Sequence, residues 1–116
     1  MIEKTIFDYL SGHFSGSPEQ IPVYMEIPKE RPGRFVLIEK TGSSLEGHVY
    51  QSTFAIQSYD VSLYKAAALN QLVIAAMLGA VGLDEITRVD LNSDYNFTAA
   101  GEKQYRYQAV FDVTHY

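Results

Sequence analysis

The chain has 116 residues, 47% of them hydrophobic, no cysteine, and a formal net charge of −5 at pH 7. That length suits one buried core and one domain over residues 1–116, and the apolar fraction excludes a disordered chain. The acidic balance argues against a nucleic-acid backbone as partner, and the lack of cysteine excludes a disulfide framework and thiol chemistry.

A short amphipathic helix opens the chain, with Ile2, Ile6, Phe7 and Leu10 on one face and Glu3, Lys4 and Asp8 outside. Gly12 and the run Gly16, Ser17, Pro18 end it. Its acidic residues do not fit a signal peptide. Residues 23–27 form a first strand fenced by Pro22 and Pro28, which reads as an edge. A Pro- and Gly-containing turn over 28–33 follows. The second strand, 34–41, is apolar on both faces through Phe35 and Leu37 against Val36 and Ile38, so it reads as central. Residues 42–47 read as an exposed flexible loop carrying Ser43, Ser44, Leu45 and Glu46. A third strand over 48–59 sets Tyr50, Phe54 and Ile56 against Gln51, Thr53 and Gln57.

The most informative stretch comes next. No charged residue occurs from Ala66 to Leu83. Read as a helix over 63–81 capped by Asp60 or Ser62, it buries Leu63, Ala66, Ala67, Val73, Ile74, Met77, Leu78 and Val81, with Asn70 as a polar intruder. The opposite side carries Lys65 and Gln71 but otherwise Ala68, Leu72, Ala75, Ala76 and Gly79, small uncharged residues that suit close approach of a second surface. A membrane span is the competing reading of this length. The internal Asn70 and Gln71, the following Asp84 and Glu85, and the absence of a flanking basic cluster weigh against it. A fourth strand runs over 86–91, extending toward Phe97, and a loop over 98–103 leads to a last strand, 104–116. On that strand Tyr105, Tyr107, Ala109, Phe111 and Val113 share one face, and Arg106, Gln108, Asp112 and Thr114 the other. Strands two and three, and strands four and five, make hairpins. The expected fold is α+β: a single antiparallel sheet of about four or five strands, with the long helix and the short N-terminal helix packed on it.

The chemical inventory is thin. His13, His48 and His115 sit at a helix end, beside a loop and at the last strand's end, and none has a metal-type ligand at helical spacing. The acidic pairs Asp90 with Asp94 and Asp84 with Glu85 stand near strand ends, where solvated carboxylates are routine. Ser43 and Ser44 are not in a nucleophile elbow, and no phosphate-cradling glycine pattern occurs. Nine tyrosines fit either strand propensity or an interface. No catalytic, cofactor-binding or metal residue is expected.

The strand FAIQSYD running into the alanine-rich helix SLYKAAALNQLVIAAM, followed by an acidic strand, a glycine-containing loop and the final YRYQAVFDVTHY, resembles the small tail-terminator and tail-completion (minor tail) proteins of long-tailed bacteriophages and prophages. The resemblance spans about residues 23–116, with the preceding helix also typical of that family. It implies a non-enzymatic virion protein that assembles as a ring, usually hexameric, on the head-proximal end of the tail tube. There it stops polymerisation and presents a surface for head–tail joining. Its partners would be further copies of itself, the tail-tube protein and the head-completion or connector protein, with no nucleic acid and no membrane. Its place would be the tail or neck of the virion, after synthesis in the host cytoplasm. Under this resemblance, ring contacts fall on Ala68, Leu72, Ala75 and Gly79 and on Tyr105 and Tyr107, while the 42–47 and 98–103 loops reach tube or connector.

Two other roles within reach are a head-completion protein of the neck and a small ligand-binding or enzymatic α+β domain, in which Asp90, Asp94 and His48 would carry the chemistry. A further alternative is a dimeric module that adds a strand at the 23–27 edge.

Overall fold

In the computed structural model, which describes residues 1–18 and 20–116, the elements run α1 (Ile2–Ser15), β1 (Val23–Tyr24), β2 (Phe35–Glu46), β3 (Val49–Asp60), α2 (Leu63–Gly79), a 3-10 turn (Ala80–Gly82), β4 (Ile86–Asn96) and β5 (Tyr105–His115). The five strands form one sheet in the order β1-β2-β3-β5-β4. Both helices pack on one face, so the fold is α+β. The sheet is mixed rather than purely antiparallel: β1 lies parallel to β2, with Val23 opposite Val36. The cause is residues 25–34, which carry the chain back to the end of the sheet where β1 started before β2 begins.

β1 is also shorter than the expected 23–27 strand. The Pro22 carbonyl accepts from Val36 N at 2.9 Å, two ladder positions follow, and then Met25 and Ile27 stand 45% exposed outside the sheet. The opposite correction applies to 42–47. Residues 42–46 are not a flexible loop but the second half of β2, pairing Ser43 with Ser52 and Leu45 with Tyr50. The reversal is confined to Gly47 and His48, where Gly47 takes a left-handed φ of 65° that glycine adopts without steric cost. This end of β2 is exposed on both faces, so its Ser and Gly residues carry no alternating apolar signal. A bulge at Thr41 shifts the register between Lys40 and Gly42.

The core lies between the helices and one sheet face. Ile2, Ile6, Leu10 and Phe14 of α1, one every fourth residue, are buried with Ala66, Leu69, Val73, Ala76 and Met77 of α2 against Val36, Ile38, Phe54, Ile56, Ala109, Phe111 and Val113. Ser62 caps α2, its hydroxyl accepting from Lys65 N at 3.2 Å. The buried arc of α2 includes Ala66, Asn70, Val73 and Met77 as expected, but is rotated toward Leu69 and Ala76. Leu63, Leu78 and Val81 are instead 41%, 43% and 49% exposed. The rotation follows from α1, whose Tyr9 hydroxyl donates to Ala76 O at 2.7 Å and so covers the side that composition marks as outer.

The other face of the sheet holds a directional chain of hydrogen bonds. Arg106 Nη1 donates to Tyr59 Oη (2.9 Å), which donates to Gln57 Oε1 (2.9 Å); Gln57 Nε2 donates to Gln108 Oε1 (2.9 Å), and Gln108 Nε2 to Tyr95 Oη (2.6 Å). Gln57, Tyr59 and Gln108 are buried. Phe35 stacks on Tyr59 with ring centroids 4.4 Å apart, and Tyr24 meets Phe35 edge-on.

Leu69→Ala should lower unfolding free energy by about 2–5 kcal/mol, because the site is closed on every side and collapses poorly. Gln57→Leu should cost about 1–3 kcal/mol by leaving the Tyr59 O–H without its acceptor and Gln108 Oε1 without its donor. Urea unfolding followed by circular dichroism measures both.

Candidate functional site

Three surfaces draw together residues singled out above. The first is the outer face of α2. Tyr64 is 84% exposed, Leu72 47% and Leu78 43%, and Ala68, Ala75 and Gly79 are exposed between them. Spaced three or four residues apart, they form one stripe along the helix. Lys65 is its only charge. By length and composition, Leu63–Gly82 would suffice to cross a membrane, with a mean hydropathy of 1.4; in this fold its inner side lies on the sheet. Beside Leu72 the stripe opens into an apolar notch of about 290 Å³ lined by His13, Phe14, Ser17, Pro18, Ile21 and Leu72. Gly79 also has a role inside the protein, since a Cβ there would stand 3.0 Å from the Tyr9 hydroxyl. Tyr105 and Tyr107 do not join the stripe. They sit on the helix-bearing face of β5 at the end where α2 begins, Tyr105 opposite Asp60 and Tyr107 opposite Ser58.

The second surface is a strand edge. β1 covers only Val36 and Leu37 of β2, so Ser43, Ser44, Leu45 and Glu46 lie exposed on an edge with no further strand in the sheet. The far edge, β4, carries register breaks at Thr87 and Asn92 and the charges of Arg88, Asp90 and Asp94, features that discourage strand addition.

The third is a cavity of about 370 Å³ between the start of α1 and the sheet, lined by Glu3, Lys40, Tyr50, Ser52, Glu85 and His115 among others. His115, at the end of the last strand, is buried. Its Nδ1 lies 3.1 Å from Tyr116 O, an atom that only accepts, and its Nε2 lies 2.8 Å from Ser52 Oγ; in the neutral tautomer with the proton on Nδ1, Nε2 accepts from the serine hydroxyl. Tyr50 stacks on the imidazole at 5.3 Å. A hydroxyl polarised by an imidazole is half of a nucleophilic centre. The other half, N–H donors aimed at a developing oxyanion, is not supplied by the neighbouring backbone: Ser52 lies in a strand laddered to Ser43 on one side and Val113 on the other. The pair satisfies two buried polar side chains. Sequence reading missed it because the two residues are 63 positions apart and meet only through the β3–β5 register.

The remaining candidates are dispersed. Asp90 and Asp94 fall on opposite faces: Asp90 opposes Asp112 and binds Arg88 at 2.7 Å, while Asp94 accepts from buried Asn70 at 2.9 Å on the helix side. His48 is exposed in the β2–β3 turn and His13 at the end of α1. Among the described residues, no three His, Asp or Glu side chains form a metal-holding group. No protein-family model matches the chain, and no curated protein matches it.

At the cavity mouth, a hydrogen bond from its own backbone N–H, and then the Lys40 ammonium 3.2 Å away, hold the Glu3 carboxyl below its ordinary pKa. A lowered folded-state value stabilises the fold above the unfolded pKa, and that contribution fades as pH falls through the folded one. Glu3→Gln should therefore flatten the acid limb of a melting-temperature profile below about pH 4.5 and leave the profile at pH 7 and above parallel to wild type.

Proposed function

We propose that this protein is a self-assembling structural component of a bacteriophage or prophage tail: a tail terminator that forms a ring, hexameric by the family pattern, on the head-proximal end of the tail tube and offers a surface to the head connector. The observation that carries the reading is the outer face of α2, where Tyr64, Ala68, Leu72, Ala75 and Leu78 line up in water with Lys65 as the only charge. Surface helices ordinarily present charged and polar residues on that side, and a continuous exposed apolar patch marks an interaction site. Its small residues allow a neighbouring backbone or flat surface to approach closely. The fold of one sheet with two helices on one face and the sequence resemblance along most of the chain support the same role. Ser43 to Glu46 on the free edge of β2, and the 98–103 turn, are then available to tube or connector.

Light scattering coupled to size-exclusion chromatography, with negative-stain imaging of any large peak, tests the reading. Wild type should form closed rings, alone at high concentration or on purified tail tubes. Leu72→Glu should abolish them with little loss of thermal stability, since a surface substitution costs about 0.5 kcal/mol or less. A protein that neither oligomerises nor binds tubes, or a Leu72→Glu variant that still forms rings, overturns it.

A further inference from the structure

The charges are segregated along the long axis of the protein, which measures 45 Å. At the end where β2 and β5 begin, Arg106 lies over the Tyr59 and Phe97 rings and Arg31 over Tyr59 at 5.9 Å. Arg34 binds Asp60 at 2.9 Å. Lys65 stands in the first turn of α2, and Lys103 in the turn leading to β5. Among the described residues, Lys29, Arg31, Lys65, Lys103 and Arg106 form no ion pair, and the acids of the same segments beyond Asp60 are Glu26, Glu30 and Glu102. The opposite end reverses the balance. Its three Lys and Arg side chains are each tied to a carboxylate, Lys4 to Asp8, Lys40 to Glu3 and Arg88 to Asp90. Glu46 in the strand before the β2–β3 turn, Asp84 and Glu85 before β4, and Asp112 on β5 are left without a counter-ion among the described residues. The macrodipole of α2 points the same way, N-terminus at the basic end and C-terminus at the acidic end. That of α1 runs against it, with Glu3 at its N-terminus.

We propose that copies of this chain associate head to tail through these ends, the Arg31, Lys65 and Lys103 rim of one copy against the Glu46, Asp84 and Glu85 rim of the next. The proposal rests on the self-assembly reading above and adds a contact that fixes its direction. A second copy is the occupant because one chain carries both complementary surfaces, and surfaces at opposite ends make a heterologous contact, the kind that builds rings or filaments rather than closed two-fold dimers. Complementary fields steer encounter and set orientation more than they add affinity. The apolar stripe of α2 then supplies the lasting contact.

Sedimentation velocity over a concentration series, at about 0.01 M and about 1 M salt, where the screening length falls from about 30 Å to about 3 Å, is the first arm. The second uses two double variants at exposed positions, Arg31→Glu with Lys103→Glu, and Asp84→Lys with Glu85→Lys, each checked for native circular dichroism. Wild type should associate more strongly at low salt. Each double variant alone should associate at least about tenfold more weakly, a difference of about 1.4 kcal/mol. Their equimolar mixture, with one variant acidic at both ends and the other basic at both, should regain association as a mixed species. Association that ignores salt and both reversals but disappears in Leu72→Glu overturns the end-to-end contact while sparing the helix-face reading. Loss on charge reversal with no effect of Leu72→Glu does the converse. A wild type monomeric at every concentration in both salts overturns the end-to-end contact as well.

Discussion

The hydrogen bond between Gln57 and Gln108, 2.9 Å long and buried between the two most heavily laddered strands, is the constraint on which the rest of the sheet depends. β3 is paired along nearly its whole length, to β2 on one side and β5 on the other. A shift of one residue would exchange its faces. Phe54 and Ile56 would leave the helices, and Gln57 and Tyr59 would be driven beneath them without partners. A buried amide is costly unless both its donor and acceptor are met, and here Tyr59, Gln57 and Gln108, between Arg106 and Tyr95, each give and receive. The core chooses the register because it is apolar on one side. The glutamine pair enforces it from the other.

That arrangement explains which parts of the fold were legible in the sequence. β3 and β5 alternate cleanly because one side faces the helices and the other faces this polar layer, so their faces could be read residue by residue from Phe54, Ile56, Ala109, Phe111 and Val113. α1 was legible for the same reason, through Ile2, Ile6 and Leu10 on one stripe. Both hairpins followed from consecutive strand patterns with only a loop between them. The end of β2 was not legible, because Ser43 to Glu46 has no buried face and no period to detect. The parallel sense of β1 depends on where residues 25–34 return, a tertiary matter that two strand positions cannot encode.

In α2 the difficulty was of another kind. With alanine at so many positions, a helix carries little contrast between its sides, and its orientation is set by what packs on it. Tyr9 reaches across from α1 to the Ala76 carbonyl, which turns Leu69 and Ala76 inward and Leu78 outward. Of the interface residues named from sequence, Ala68, Leu72, Ala75 and Gly79 stand on the exposed side, while Tyr105 and Tyr107 are held elsewhere by the β5 register. The buried Ser52 and His115 pair lay beyond sequence reading, because a histidine near the end of a strand carries no mark of what lies diagonally across the sheet.

The irregularities of β4 have a consequence for what can add to that edge of the sheet. A flat, unbroken outer strand is a template onto which any extended chain can grow, and growth of that kind has no natural length and is hard to reverse. The breaks at Thr87 and Asn92 interrupt the outward row of amides and carbonyls and twist it away from a straight line. Along this edge a neighbouring chain would meet side chains rather than an unbroken ladder. Contacts of that sort can be counted, closed and undone, which keeps this edge from templating a fibre.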